Sequence, residues 1–263
     1  MNALLNYPGA KWGMAHKIVS LMPPHHSYVE PFFGSGAVLF NKPPSPIETV
    51  NDIDGEVVNF FRVLRECPDE LAKEISLTPY ARDVFDDAHE NRGEDDFDRA
   101  CRFAIRSRMG HGFKTRSKTG FKIDVFARER SYCTSYWNRM PGDVMEAAAR
   151  LKCVQIENRP ALEIIRKFNH EGVLIYADPP YLLSTRCGNQ YAHEMTEADH
   201  LEMLETLFQS KCAVIISGYP SDMYDRTLQG WNKITQKSYT QSHALRTEVL
   251  WYNFDIPQLF SGL

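Results

Sequence analysis

Apolar positions along this chain fall into two kinds of run. Short strand-like runs lie near residues 27–30, 47–50, 153–157, 173–177 and 213–217, and the unbroken one at 173–177 reads as a buried strand of a parallel sheet. Between them the apolar spacing is helical. Val57, Val58, Phe61 and Leu64 fit one helix over Gly55–Glu66, and helices are also predicted over 14–22 (stopped by Pro23-Pro24), 160–169 and 197–210. The Ser27–Phe40 stretch reads as a strand, a glycine-containing turn and an apolar helix start, the opening of a βα unit. In the tail, residues 232–239 and 248–254 lie close enough to pair antiparallel.

The rhythm changes between Cys67 and Arg150. Strand-like runs vanish, and helical stretches over 69–77, 80–91, 97–109 and 136–151 surround a polar, glycine-containing segment, 113–123, that reads as a β-hairpin. The expected organisation is an α/β domain, residues 1–66 and 151–263, with a mainly helical subdomain, residues 67–150, inserted and packed onto it.

Composition narrows this picture little. The 263 residues are 43% hydrophobic and 24% charged, as in an ordinary globular protein. No apolar run approaches the roughly 18–20 residues that span a bilayer, so no membrane partner is expected. The N-terminus lacks the basic region and apolar core of a signal peptide. Six scattered cysteines with no C-x-x-C disfavour a zinc site or a disulfide framework, and a reducing, cytoplasmic setting is expected. Charge is more informative locally than in its net value of −4. Residues 83–98 carry eight acids and one base, whereas 99–130 carry ten bases and two acids, a basic block suited to phosphate.

The chemistry concentrates at Asp178-Pro179-Pro180-Tyr181, where the apolar run 173–177 stops at a double proline. A carboxylate and a backbone carbonyl are held there at a strand's carboxyl end, where α/β sheets bind ligands, with an aromatic ring beside them. Two acceptors next to a stacking face suit a planar heterocycle bearing an exocyclic amine; a plain strand-ending turn is the alternative. Phe33-Gly34-Ser35-Gly36 permits a tight turn and a close backbone approach to a ligand, but lacks the third glycine of a dinucleotide fingerprint. Asp52, ending the second run, is placed to accept from the ribose hydroxyls of a nucleoside-containing cofactor. Asp54 is better placed to cap the following helix. No G-x-x-x-x-G-K-[ST] occurs, which counts against a phosphate-gripping NTPase.

Together these signals outline S-adenosylmethionine beside an amine-bearing base. In order, Asn-Tyr-Pro-Gly-Ala-Lys-Trp (6–12), Glu-Pro-Phe-Phe-Gly-Ser-Gly-Ala-Val (30–38), Asn-Asp-Ile-Asp (51–54) and Asp-Pro-Pro-Tyr (178–181) resemble the motifs of the Dam-like, alpha-group DNA adenine methyltransferases, and most of all their prophage-type members. The later Ile216–Tyr219 and Arg246–Trp251 resemble that family's closing motifs, and the likeness is thinnest over the insert. The resemblance implies a seven-stranded Rossmann-like sheet with a reversed last strand. It implies Tyr7 and Lys11 near the cofactor's methionine part, Phe33, Gly34 and Gly36 in the turn beneath it, Asp52 on the ribose and Ile53 on the adenine. An acidic residue usually follows the third strand; Glu157 and Asn158 both stand as candidates. Asp178 and the Pro179 carbonyl would accept the target amine's N–H bonds, and Tyr181 would stack on a base flipped out of DNA. Lys114, Arg116, Lys118 and Lys122 would enter a groove, while Arg99, Arg102, Arg106 and Arg108 would meet phosphates. The competing readings are methylation of cytosine or of RNA, and a catalytically silent DNA-binding remnant. The recognition sequence, the oligomeric state and any partner restriction endonuclease are not legible here.

Overall fold

The computed structural model describes residues 1, 3–112, 117–126, 131–186, 188, 190–239 and 245–256. Seven strands form one sheet: β1 (Ser27–Glu30), β2 (Ile47–Asn51), β3 (Val154–Glu157), β4 (Val173–Ala177), β5 (Ala213–Gly218), β6 (Asn232–Tyr239) and β7 (Leu245–Tyr252). Their order is β3-β2-β1-β4-β5-β7-β6. The first five run parallel, and β7 inserts between β5 and β6 antiparallel to both. The strand order reverses between β1 and β4, so their carboxyl ends diverge into the crevice where such sheets bind ligands.

The sheet is covered on both sides because its central strands are apolar on both faces. In β4, Leu174 and Tyr176 join one buried cluster, and Val173, Ile175 and Ala177 join the other. The first face receives α1 (Ala15–Leu21) and α2 (Gly55–Glu66). The second receives α7 (Ala161–Lys167), α8 (Glu197–Phe208) and α9 (Asp222–Thr227). Between α2 and β3 lie α3 (Pro68–Leu77), α4 (Arg82–Glu90), α5 (Asp96–Met109) and α6 (Tyr132–Leu151). Phe103, Met109, Trp137 and Met140 of these helices share a cluster with Phe60 and Phe61 of α2, so insert and sheet have a continuous core.

One expectation changes. The helix expected after Gly36 is only a 3-10 turn, Leu39–Asn41, because Pro43-Pro44 follow too closely for a longer helix. Of the hairpin over 113–123, the described residues contain its closing end: Gly110 bridges Phe121 antiparallel, and His111 N–H donates to Gly120 O at 2.8 Å. Residues 113–116, with Lys114 and Arg116, lie outside the described residues.

Candidate active site

Beyond β1 the chain turns sharply through Gly34 and Gly36, both at positive φ (50° and 68°). A β-carbon at 36 would stand 2.6 Å from the rings of Phe33 and Phe40, and one at 34 would stand 3.0 Å from the Tyr7 ring. Only glycine fits this turn. The turn is clasped to the end of β2: Asp52 Oδ2 accepts from Gly34 N–H at 2.8 Å and Oδ1 from Asp54 N–H at 2.9 Å. Each oxygen keeps a second lone pair for a ligand. Asp54 caps α2, accepting from Glu56 N–H.

Neither candidate after β3 lines the cleft. Asn158 supports it from beneath, donating from Nδ2 to Asp52 O at 2.7 Å, while Glu157 pairs with Lys167 outside.

The turn floors a cleft of about 290 Å³ that collects Tyr7, Lys11, Phe33, Gly34, Asp52, Ile53 and Asp178. Gly36, Pro179 and Tyr181 are not among the residues that line it. Ile53 is 41% exposed at the rim, an apolar side chain with no core to enter. The cleft thus offers an acceptor carboxylate, an exposed isoleucine and a floor with no room for a side chain, a set compatible with a sugar and a planar base.

Asp178 closes the inner end. The Lys11 ammonium sits 3.1 Å from its Oδ1, donates to Gly9 O at 2.5 Å, and lies 4.7 Å from the centre of the Tyr181 ring. Burial raises the Asp178 carboxyl above its ordinary pKa, and Lys11 works against that shift. Tyr181 packs edge-on to Tyr219 with ring centres 4.6 Å apart, and its hydroxyl donates to Glu248 Oε2 at 2.7 Å. An amine thus already touches the acceptor carboxylate, on the face of the ring assigned to stacking.

Several residues of this site were not singled out from the sequence. Tyr191, His193 and Met195 line the cleft from a loop over it. Arg186 pins that loop: Nε donates to Tyr181 O at 2.7 Å, Nη1 to Gly188 O at 2.7 Å, and Nη2 pairs with Glu194. The arginine follows the Asp-Pro-Pro-Tyr motif by five residues, but its contacts depend on loop folding. Glu30, at the end of β1, lies in the cleft wall and accepts from Tyr28 Oη at 2.6 Å.

Burial pushes Glu30 up to about 8 and Asp52 up to about 7. Both hold their proton more tightly folded than unfolded. The stability of their neutral forms is therefore complete below the unfolded carboxyl range and is lost as pH rises through the folded values. His89 and His200, pushed down to about 4 by burial, act in the opposite sense below their unfolded value of 6.5. The thermal midpoint of the ligand-free chain should accordingly fall between about pH 6.5 and 8.5. Glu30→Gln should flatten that fall; scanning fluorimetry of both proteins across the window checks it, and parallel slopes would contradict it.

The arginines of α5 are a correction. Arg106 is only 3% exposed, donating to Glu56 Oε2 and Ala88 O, both at 2.9 Å. Arg108 is 8% exposed and donates to Asn6 Oδ1. Arg99 pairs with Glu56 and Asp96, and Arg102 with Asp87 and Asp98. The acidic stretch folds onto the basic one, because α4 and α5 are neighbours in space as in sequence. Arg99, Arg102 and Arg106 are thus committed to carboxylates, whereas Arg108 is buried with its Nε and Nη2 unpartnered among the described residues. Lys118, paired with Asp86, and Lys122 remain at the surface side of the bridge.

A seven-stranded sheet with an inserted reversed strand, a glycine turn over a strand-end aspartate, and Asp-Pro-Pro-Tyr at the switch point define a methyltransferase. The family model of the D12 class N6 adenine-specific DNA methyltransferases matches residues 7–253, and the chain belongs to that family. It is similar to the DNA N-6-adenine-methyltransferase of Escherichia phage P1, 26% identical over 195 residues, which cover 68% of this chain and 24% of that protein. It is also similar to the Type II methyltransferase M1.LlaDCHI of Lactococcus lactis subsp. cremoris, 22% identical over 278 residues and 94% of each chain. The chain thus spans about a quarter of the phage relative and nearly all of the lactococcal one. Among the described residues no helix is long and apolar enough to cross a membrane, and no cluster of side chains could hold a metal ion.

Proposed function

We propose that this chain transfers a methyl group from S-adenosylmethionine to the exocyclic 6-amino group of adenine in DNA, with the base flipped into the Asp178 site. The observation that carries this reading is the Lys11 ammonium held 3.1 Å from Asp178 Oδ1 beside the Tyr181 ring, in the cleft that Asp52 and Ile53 also line. S-adenosylmethionine supplies an electrophilic methyl group on a sulfonium sulfur. Asp52 would accept from its ribose hydroxyls, Ile53 would cover its adenine, and Tyr7 and the Phe33–Gly36 turn would bound its methionine part.

The target amine is a weak nucleophile because its lone pair is delocalised into the ring. Asp178 and the Pro179 carbonyl would accept its two N–H bonds and favour a pyramidal nitrogen, which turns the lone pair toward the methyl group. Tyr181 would stack on the flipped base, worth about 1–3 kcal/mol, comparable with the cost of unstacking it. Lys11 must withdraw for the amine to enter. As the N–C bond formed, the methyl–sulfur bond would break and its electron pair would stay with sulfur as a neutral thioether. The nitrogen would give up a proton, and Asp178, made more basic by burial, would be the group to receive it.

Incubation with labelled S-adenosylmethionine and unmethylated DNA, followed by nucleoside analysis, tests the whole reading. N6-methyladenine is expected; methylcytosine, or a product on RNA alone, would overturn it. A separate prediction concerns the insert. Lys118→Gln with Lys122→Gln should weaken DNA binding and reduce the logarithmic salt slope by about 2. Arg106→Gln should instead lower stability by about 2 kcal/mol, below the usual loss for a buried pair because Glu56 keeps Arg99. Fluorescence anisotropy at several salt concentrations and chemical denaturation separate the two effects.

A further inference from the structure

The reversed strand β7 brings a carboxylate next to the Asp-Pro-Pro-Tyr motif, 67 residues away in sequence. Glu248 is 8% exposed, and the hydrogen bond it makes among the described residues is accepted from Tyr181 Oη at 2.7 Å. A buried carboxylate on an inner strand is costly to keep, and an apolar residue of its size would fill the place at lower cost. Its neighbours on β7, Val249 and Leu250, pair with Gly218 and Ser217 of β5, so the strand holding Glu248 is fixed by ladder bonds.

We propose that Glu248 is a positioning residue for methyl transfer: by holding the Tyr181 hydroxyl it fixes the plane of the ring on which the target base stacks. This rests on the reading of Tyr181 as the stacking wall given above. Tyr219 meets the Tyr181 ring edge-on at 4.6 Å and the Lys11 ammonium lies 4.7 Å from its centre. The Tyr181 hydroxyl also faces the Asp178 carboxylate, whose oxygens the incoming amine would engage. Lys11 must leave before a base enters, and Tyr219 contacts the ring through weakly directional packing. The bond to Glu248 is directional, charge-assisted and buried, so it is the contact that persists when the base exchanges with Lys11. It also lies at the far end of the ring from the backbone, where a small angular change displaces the stacking face most. The sheet thereby contributes to base placement through the strand whose direction distinguishes it from the others.

The test is a double-mutant cycle. Glu248→Leu removes the acceptor at similar volume, Tyr181→Phe removes the donor and keeps the ring, and the pair of changes removes both. With unmethylated genomic DNA and S-adenosylmethionine at saturation, each single change should lower kcat about 10- to 100-fold. The double variant should be no worse than either, and Glu248→Gln, which still accepts, should recover most of the rate. KM for S-adenosylmethionine should stay within about twofold throughout, since Glu248 does not line the cleft. Losses that multiply in the double variant, or a Glu248→Leu protein as fast as the parent, would overturn the inference. If Glu248→Leu does not fold, Tyr181→Phe and Glu248→Gln decide: equal, large losses in both would sink the positioning role. Tyr181→Ala separates the underlying reading, because full activity without the ring removes the stacking wall itself, whatever Glu248 does.

Discussion

Asp178→Asn will reduce methyl transfer by about 10³-fold or more while leaving the chain folded. The substitution keeps the side chain's shape but exchanges one of its two acceptor oxygens for a donor, which would face the amine's own N–H bonds. It also leaves the Lys11 ammonium without its counter-ion, at 5% exposure of that side chain. The fold should tolerate this, because Asp178 is held in a neighbourhood that already raises its pKa through burial and the charge of Glu248. Cofactor affinity should change little, since Asp178 lies at one end of a cleft whose floor and rim come from β1 and β2. Product formation in single turnover, together with calorimetric titration of S-adenosylmethionine, reads both halves. Retained transfer, or a matching loss of cofactor binding, would contradict the role.

Asp52→Ala should act on the opposite half of the site, weakening S-adenosylmethionine binding about 10³-fold. Two things are lost together. The ribose loses a charged acceptor, and the Gly34 and Asp54 N–H groups lose theirs, so the glycine turn is no longer clasped to β2. Asp52→Asn separates these contributions, because its one remaining oxygen can satisfy one of the two N–H groups. Its affinity should fall between the parent and the alanine variant; an alanine variant that binds like the parent would remove Asp52 from the cofactor site.

Much of the cleft was legible because its residues act where they stand in sequence. Glycines at a strand end, an aspartate ending the next strand and a double proline after β4 constrain the backbone locally, and parallel topology then places all three at one edge. Glu248 and Arg186 were not legible, since each meets Tyr181 only through folding of distant or irregular segments. The arginines of α5 failed for a different reason. A basic block gives the number of charges but not their partners: Arg106 and Arg108 are buried, and Arg99 and Arg102 are ion-paired at the surface. The spacing of Arg99, Arg102 and Arg106 did carry a signal, because three- and four-residue steps place them along one helical stripe, next to an acid-rich preceding segment. The short helix expected after Gly36 was undone by Pro43-Pro44, which the apolar pattern alone did not weigh.

The paired arginines have a kinetic corollary. With Arg99, Arg102 and Arg106 committed to Glu56, Asp87, Asp96 and Asp98, helix α5 presents no cationic ridge to draw in a polyanion from a distance. Among the described residues, encounter with a duplex would then lean on Lys118 and Lys122 near the bridged loop, in a chain whose overall charge is negative. If the described residues carry the encounter, the chain should gain little from sliding along the backbone, and successive methylations of one DNA molecule should be distributive.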